Sequence, residues 1–218
     1  MIQWSSLIQD TQWEIKLLFL LLFVLWVVIK MIEPSRFYAI CELRNRDPFP
    51  KNLRRESNIG TSDPFSLLNF LFLILTLGLF FQIHTRPMIF NGYQYGIHVG
   101  SIGLLFVGRW LLSRLLFFIF GVSSGVVTAI SESNVSVFRW GYLMFIGLLI
   151  YFFGAFDPMF LNGFSALSLI YLGWVQLEVI SKYFKQEHRS YLSFILYLCA
   201  LKLAPWLLLI TWFNTASL

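Results

Sequence analysis

Residues 15–32, IKLLFLLLFVLWVVIKMI, decide the fold class of this chain. Every residue between Lys16 and Lys30 is apolar. A run of about 17–25 mostly apolar residues is long enough to cross a bilayer as an α-helix. The run is too long for the apolar region of a signal peptide, and no small-residue cleavage site follows it. It therefore predicts a first transmembrane helix.

The rest of the chain repeats this pattern. Of the 218 residues, 58% are hydrophobic and 12% are charged, whereas soluble domains have about 25% charged residues. Arginines interrupt one apolar stretch, so residues 109–121 either complete a span or lie along the membrane surface. We predict an all-α integral membrane protein with about six transmembrane helices, forming a single membrane domain over residues 1–218. The predicted spans are Ile15–Ile32, Phe65–Ile83, Ile97–Leu115, Gly141–Phe156, Phe164–Tyr183 and Ser193–Phe213.

The basic residues indicate an orientation. Thirteen of the sixteen lysines and arginines fall on one side of the predicted membrane, Lys16 and Arg86 fall on the other, and Lys202 lies within a span. Basic residues are retained on the cytoplasmic side. We therefore expect a bacterial cytoplasmic (inner) membrane protein with both termini on the outer, periplasmic side. The thirteen are Lys30, Arg36, Arg44, Arg46, Lys51, Arg54, Arg55, Arg109, Arg114, Arg139, Lys182, Lys185 and Arg189.

Residues 33–63 are predicted to form a basic cytoplasmic loop. Pro34 and Ser35 favour a short interfacial helix with Phe37, Ile40 and Cys41 on one face. Basic residues next to a membrane bind anionic lipid, and the alternative is that they dock a partner protein. The residues predicted for lipid or partner docking are Arg36, Arg44, Arg46, Arg54 and Arg55.

Catalytic and metal-binding motifs receive little support. GVSSG at 121–125 fits G-x-S-x-G, but an apolar helical stretch precedes it where a hydrolase needs a strand, and Ser123 has no histidine on a later span. His84 and His98 flank an outer loop without the i, i+4 spacing typical of metal ligands. No P-loop or dinucleotide-binding glycine motif is present. We therefore expect no catalytic residue, metal site or cofactor.

Two ionisable residues lie within predicted spans, Glu178 in the fifth and Lys202 in the sixth. A charge at bilayer depth costs at least about 3 kcal/mol and normally has a partner or a function. Their depths differ by about four residues, or about 6 Å, which a lysine side chain can reach. We predict a buried ion pair that is structural or, alternatively, a proton or ion relay. Ser168, Tyr171, Val175, Glu178 and Lys182 share a helical stripe that we expect to face protein.

Three segments resemble an uncharacterised bacterial membrane family that is catalogued as a domain of unknown function: SNIGTSDPFSLLNFLFLIL, GRWLLSRLLFFIFG and RSYLSFILYLCALKLAPWLLLITW. The resemblance covers the chain from about Arg54 onward, and FILYLCALKLAP is similar to the family pattern F-x-L-Y-L-C-T-L-E-x-x-P. It implies a multi-pass inner-membrane protein of diderm bacteria and brings no catalytic residue. Lys202 stands where the family tends to have Glu, which argues against a carboxylate proton carrier shared by the whole family.

The expected function follows from these observations. We predict a non-enzymatic membrane subunit or assembly factor of a cell-envelope complex, such as secretion or surface-export machinery. Its expected partners are membrane lipids and other membrane-protein subunits, and not nucleic acid. The alternative is a small transporter or ion- or proton-conducting protein that uses Glu178 and Lys202.

Overall fold

The computed structural model describes residues 2–41, 63–85, 90–120, 124–154 and 158–186. In these residues the chain is all-α, which confirms the predicted class. Four segments, lying in four of the helices, are long and apolar enough to cross a membrane: Trp13–Ile32, Pro64–His84, Glu132–Phe153 and Met159–Val179. The described helices are α1 (Ile2–Ile32), α2 (Pro34–Cys41), α3 (Pro64–Thr85), α4 (Gly92–Phe120), α5 (Ser124–Phe153) and α6 (Pro158–Gln186).

Two of the predicted spans are not among these four segments. The predicted third span lies inside α4, which continues as one α-helix through Arg109 and Arg114 to Phe120. The predicted sixth span, Ser193–Phe213, lies outside the described residues.

Local chemistry explains where the helices begin and end. Pro34 separates α1 from α2, because proline lacks an N–H and its ring clashes with the carbonyl four residues earlier. Pro64 and Pro158 are the first residues of α3 and α6, where proline is favoured. The Asn91 side chain accepts a hydrogen bond from the N–H of Tyr93 at 3.0 Å and so caps α4.

The long helices alternate in direction. Helix α3 packs against α1, α4 and α5, and α5 packs against α6. The registers of the contacts make α4 antiparallel to α3, α5 parallel to α3, and α6 antiparallel to α5. The pairs that set these registers are Phe70–Phe106 and Phe81–His98 for α3 and α4, Phe70–Phe138 and Phe72–Phe145 for α3 and α5, and Met144–Ser168 and Ser133–Gln176 for α5 and α6.

Helices α3 and α5 form the centre of the bundle, with 56% and 61% of their span segments buried. Two glycines of α5 permit close approach to its neighbours. A Cβ atom at Gly141 would lie 2.6 Å from Cδ1 of Leu73 on α3, and one at Gly147 would overlap the Phe164 ring on α6. Small residues serve this purpose at membrane helix interfaces, where side-chain packing stabilises the assembly.

Candidate functional site

Helix α2 lies at the end of the bundle where α1 ends and α3 begins. It buries Phe37 and Ile40 and exposes Tyr38. The Phe37 ring contacts Trp26 of α1 at a centroid distance of 5.7 Å and Tyr142 of α5 at 5.6 Å. The apolar face of α2 therefore packs into the bundle, while its outer face is exposed.

Arg36 ties α2 to the start of α3. Its Nη1 donates a hydrogen bond to Oδ2 of Asp63, the residue before α3, and its Nε lies 2.7 Å from Oε2 of Glu33. The guanidinium also lies 6.0 Å from the ring centroid of Phe65. Because these side chains are only about one-fifth to one-third exposed, water screens the ion pairs less than it would screen pairs on an open surface.

Arg139 holds the other end of α2. Its Nε donates to the carbonyl oxygen of Ile40 at 2.7 Å, and its Nη2 donates to that of Ala39 at 3.5 Å. The last carbonyls of a helix lack partners within the helix and carry partial negative charge. Arg139 on α5 therefore caps α2 from a neighbouring helix. We call Glu33, Arg36, Asp63 and Arg139 the α2 clasp.

Cys41, the last residue of α2, is half-buried beside the clasp. Burial raises the pKa of its thiol, and the nearby positive charges of Arg139 and Lys30 oppose that rise. The net rise means less thiolate at neutral pH, and the thiolate is the reactive form of cysteine. Cys41 is therefore not an activated nucleophile.

A buried hydrogen-bonded bridge joins α3 to α5 below the clasp. The Tyr142 hydroxyl donates to Oδ1 of Asn69, and Nδ2 of Asn69 donates to the Phe65 carbonyl at 2.7 Å. Asn69 is 1% exposed. Hydrogen bonds between helices at membrane depth fix the register of the pair.

A second bridge joins α5 to α6 near the same end. The Ser133 hydroxyl donates to Oε1 of Gln176 at 2.9 Å, and Nε2 of Gln176 donates to the Ser133 carbonyl at 3.3 Å. Toward the middle of the bundle, the Ser168 hydroxyl lies 3.1 Å from the Met144 sulfur. Polar groups thus connect α2, α3, α5 and α6 at one end of the bundle.

The chemistry of this arrangement is that of helix assembly. Most of its hydrogen bonds run from one helix to another, and they satisfy helix-end carbonyls, side-chain amides and carboxylates. In the described parts of the chain, no group of three or more His, Cys, Asp or Glu side chains could hold a metal ion.

The structure places some of the sequence-predicted residues and not others. Arg36, predicted to dock lipid or a partner, lies in the α2 clasp. Glu178 is exposed on α6, whereas Ser168 of the same predicted stripe is buried. Ten residues correspond to about 2.8 helical turns, so Glu178 is rotated about 80° from Ser168, and the stripe does not face protein along its whole length. The residues outside the described ranges are Arg44, Arg46, Arg54, Arg55, Ser123 and Lys202.

The two histidines lie on different helices. His84 on α3 is exposed and stacks on Phe80 at a centroid distance of 5.8 Å. His98 on α4 lies against Phe81 at 6.4 Å. The His84 contact is therefore within α3, whereas His98 packs against a neighbouring helix.

The family model described as "Domain of unknown function (DUF4271)" matches residues 15–213. The chain belongs to this family. The DUF4271 match confirms the resemblance to an uncharacterised family. The matched range begins at the first residue of the first predicted span and ends at the last residue of the sixth predicted span. It therefore includes the α2 clasp, both bridges and the C-terminal apolar stretch. No curated protein and no solved structure matches the chain.

Sequence reasoning did not identify several site residues of this DUF4271 protein. Arg139 was counted among cytoplasmic loop charges, but it is 9% exposed on α5, within the span segment Glu132–Phe153. Its signal is the spacing of Glu132, Ser136 and Arg139, which places polar groups on one helix face. Asn69 had a clearer signal, since a lone amide in an apolar run normally faces another helix.

Proposed function

We propose that this DUF4271 protein is a non-enzymatic membrane subunit or assembly factor of a cell-envelope complex in the inner membrane of diderm bacteria, such as secretion or surface-export machinery. The observation that carries the proposal is the α2 clasp. It holds a short amphipathic helix at one end of the bundle, with its apolar face packed and its outer face open.

The proposed topology has six spans, with α4 as the third and residues 193–213 as the sixth, and both termini on the periplasmic side. The alternating helix directions support it, because they bring the end of α1, the starts of α3 and α5, and the ends of α4 and α6 to the same side. The charged residues Lys30, Arg114 and Lys182 belong to those helices near these ends, and Arg36 lies on α2 beside them. One end of the bundle is therefore basic, which favours a cytoplasmic location for the clasp.

The outer face of α2 supports a docking role. Tyr38 is 58% exposed, and Lys30 lies 5.6 Å from its ring centroid. The chain between α2 and α3 carries Arg44, Arg46, Arg54 and Arg55. Because the clasp fixes α2 and the start of α3 to each other, it fixes both points from which this basic segment leaves the bundle. A held basic segment next to a membrane suits an acidic partner subunit or anionic lipid.

Gentle purification from the native membrane tests the proposal. We expect a stoichiometric membrane-protein partner to co-purify, and Arg54→Gln with Arg55→Gln to reduce its recovery severalfold. Lys16→Gln is the matched control, since it removes a basic residue at the opposite end of the bundle. All variants are compared at equal amounts of folded protein.

Two outcomes would contradict the proposal. One is a protein that purifies alone from every membrane preparation. The other is purified protein that moves protons or ions across liposome membranes with a flux that Glu178→Gln removes, which would establish the transporter alternative.

A further inference from the structure

Helix α6 has one long outer face that the described helices leave open. Only 17% of its span segment is buried, although the α5 segment it packs against is 61% buried. The open residues recur at intervals of three and four, so they form a stripe along one side of the helix. This stripe, here the outer stripe of α6, consists of Gly163, Ala166, Leu167, Ile170, Gly173, Trp174, Leu177 and Glu178.

The composition of the outer stripe favours a helix partner over lipid. A Cβ atom added at Gly163 or Gly173 would meet nothing within 4 Å, so no contact in the described structure requires glycine there. Each glycine costs a helix about 1 kcal/mol relative to alanine, and small residues in membrane helices concentrate at helix–helix interfaces.

Helix α1 provides the contrast. Only 22% of its span segment, Trp13–Ile32, is buried, which is close to the value for α6. Between Lys16 and Lys30 its exposed residues are large and apolar, for example Leu20, Phe23 and Val24, and the segment contains no glycine or alanine. This is the composition expected of a face that meets lipid tails. The outer faces of α1 and α6 are thus similarly exposed, but the composition of α1 suits lipid and that of α6 suits another helix.

The length of chain after α6 identifies an occupant. Helix α6 ends at Gln186, and the apolar stretch 193–213 starts after a connection of only six residues. Connections of about 2–8 residues join antiparallel neighbours in helical bundles. The family match continues to residue 213, so this stretch belongs to the same domain.

Counted along the sequence from the observed end of α6, two opposite charges lie at similar distances from the connection. Glu178 lies eight residues before Gln186, and Lys202 lies nine residues after Ser193. At 1.5 Å per residue these positions are about 12 Å and about 14 Å from the connection. The sequence-based estimate ended the fifth span at Tyr183 and gave an offset of about four residues. The longer helix reduces that offset to one residue.

We propose that residues 193–213 form the sixth span and pack antiparallel on the outer stripe of α6, with Lys202 beside Glu178. The proposal rests on the six-span topology of the proposed function. Its test measures a distance within one chain and needs no partner protein. The packing of residues 193–213 on α6 can therefore be refuted while a partner still co-purifies, and it can be confirmed when no partner co-purifies.

Cysteine pairs at matched depths test the packing. Leu209 and Phe213 follow Lys202 by seven and eleven residues, so a helical sixth span would carry all three on one face. In the proposed packing, Leu209 lies at the depth of Ile170, and Phe213 lies at the depth of Leu167, both on the outer stripe. In a background with Cys41→Ser and Cys199→Ser, we expect Ile170→Cys with Leu209→Cys, and Leu167→Cys with Phe213→Cys, to form disulfides within one chain on mild oxidation.

Two control pairs keep the Leu209→Cys partner and change the other helix. Val24→Cys places the thiol on the exposed face of α1, and Leu104→Cys places it on the exposed face of α4. We expect at least tenfold less cross-linking within the chain for both. Efficient cross-linking to Leu104→Cys would place the stretch on α4 and overturn the proposal. Cross-links only between chains would identify a second copy as the occupant, and no cross-link from either α6 pair would also refute the proposal.

Charge reversal tests the register independently. With Ile170→Cys and Leu209→Cys present, Lys202→Glu should lower the cross-link yield severalfold, because two carboxylates then meet at one depth. Adding Glu178→Lys should restore the yield. A yield that is the same in all three proteins would show that these residues do not face each other.

Discussion

The central helices α3 and α5 and the peripheral helices α1 and α6 differ in burial and in chemistry. More than half of each central span segment is buried, against about a fifth of each peripheral one. The central pair also carries most of the buried polar side chains, among them Asn69, Thr76, Ser133 and Arg139. In a bilayer, apolar burial alone does not drive helices together, so packing and interhelical hydrogen bonds specify the centre. In the peripheral helices, the composition of the outer face depends on whether lipid or another helix covers it.

The largest expected effect is at the aromatic contact of three helices. Phe145 on α5 is 2% exposed and contacts Phe19 of α1 and Phe72 of α3, with centroid distances of 6.3 and 5.3 Å. Phe145→Ala should lower the free energy of unfolding by about 3 kcal/mol, which is near the low end of the range for buried Phe. The substitution leaves a cavity, as in a soluble protein, but moving a Phe side chain from the protein interior into lipid costs less than moving it into water. Reversible unfolding in detergent micelles measures it.

Phe153→Ala is the control for that experiment, since Phe153 lies on the same helix and is 63% exposed. We expect a clearly smaller loss of stability. Equal losses at the two positions would contradict the distinction between a packed centre and an open periphery.

The next effect concerns the α2 clasp. Hydrogen bonds from a charged donor contribute about 1.5–3 kcal/mol, so Arg139→Gln should release the C-terminal end of α2. The measurement is the rate at which a thiol reagent modifies Cys41 in detergent. Losing the positive charge alone would raise the pKa of Cys41 further and slow the reaction. An increased rate would therefore report exposure.

Lys30→Gln is the matched variant for the clasp, because it removes the other nearby charge and leaves the capped carbonyls in place. We expect a slower reaction of Cys41 in this variant. A slower reaction in Arg139→Gln as well would mean that Arg139 does not hold α2.

A smaller effect is expected at the bridge between α3 and α5. Tyr142→Phe removes the hydroxyl that donates to Asn69 and keeps the ring contacts with Phe37 and Phe72. Interhelical hydrogen bonds in membrane proteins contribute about 0.6 kcal/mol on average, so unfolding should become easier by about that amount. Tyr151→Phe on the same helix should change stability less.

The smallest effect is on labelling and leaves stability unchanged. Tyr38→Cys, made with Cys41→Ser and Cys199→Ser, presents a thiol on the open face of α2. It should react faster at pH 7 than Cys41 does in the natural background, because burial raises the pKa of the Cys41 thiol. An impermeant reagent should label Tyr38→Cys in inverted vesicles and not in intact spheroplasts. Labelling in spheroplasts would reverse the proposed orientation.

The sequence predicted the positions of the long helices well. Each predicted span in the described residues lies within one helix, apart from Gly154 of the predicted span Gly141–Phe156, since α5 ends at Phe153 and residues 155–156 lie outside the described ranges. Apolar runs are visible without knowledge of neighbours, and Pro64 and Asn91 mark helix starts through local chemistry. The sequence pattern predicts that the fourth span starts at Gly141, because the polar residues before it resemble a loop. In the structure, the segment of α5 that is apolar enough to cross a membrane starts at Glu132.

The amino-acid sequence by itself determined the class of this protein, since helix length and apolar content depend on each residue and the bilayer alone. It also predicts that most basic residues lie on one side of the membrane. Only the tertiary structure decided that Arg139 caps α2, that Asn69 meets Tyr142, and which side of α6 stays open. These facts depend on residues 73 to 100 positions apart or on the rotation of one helix against another. A local sequence pattern does not show which distant residues come into contact.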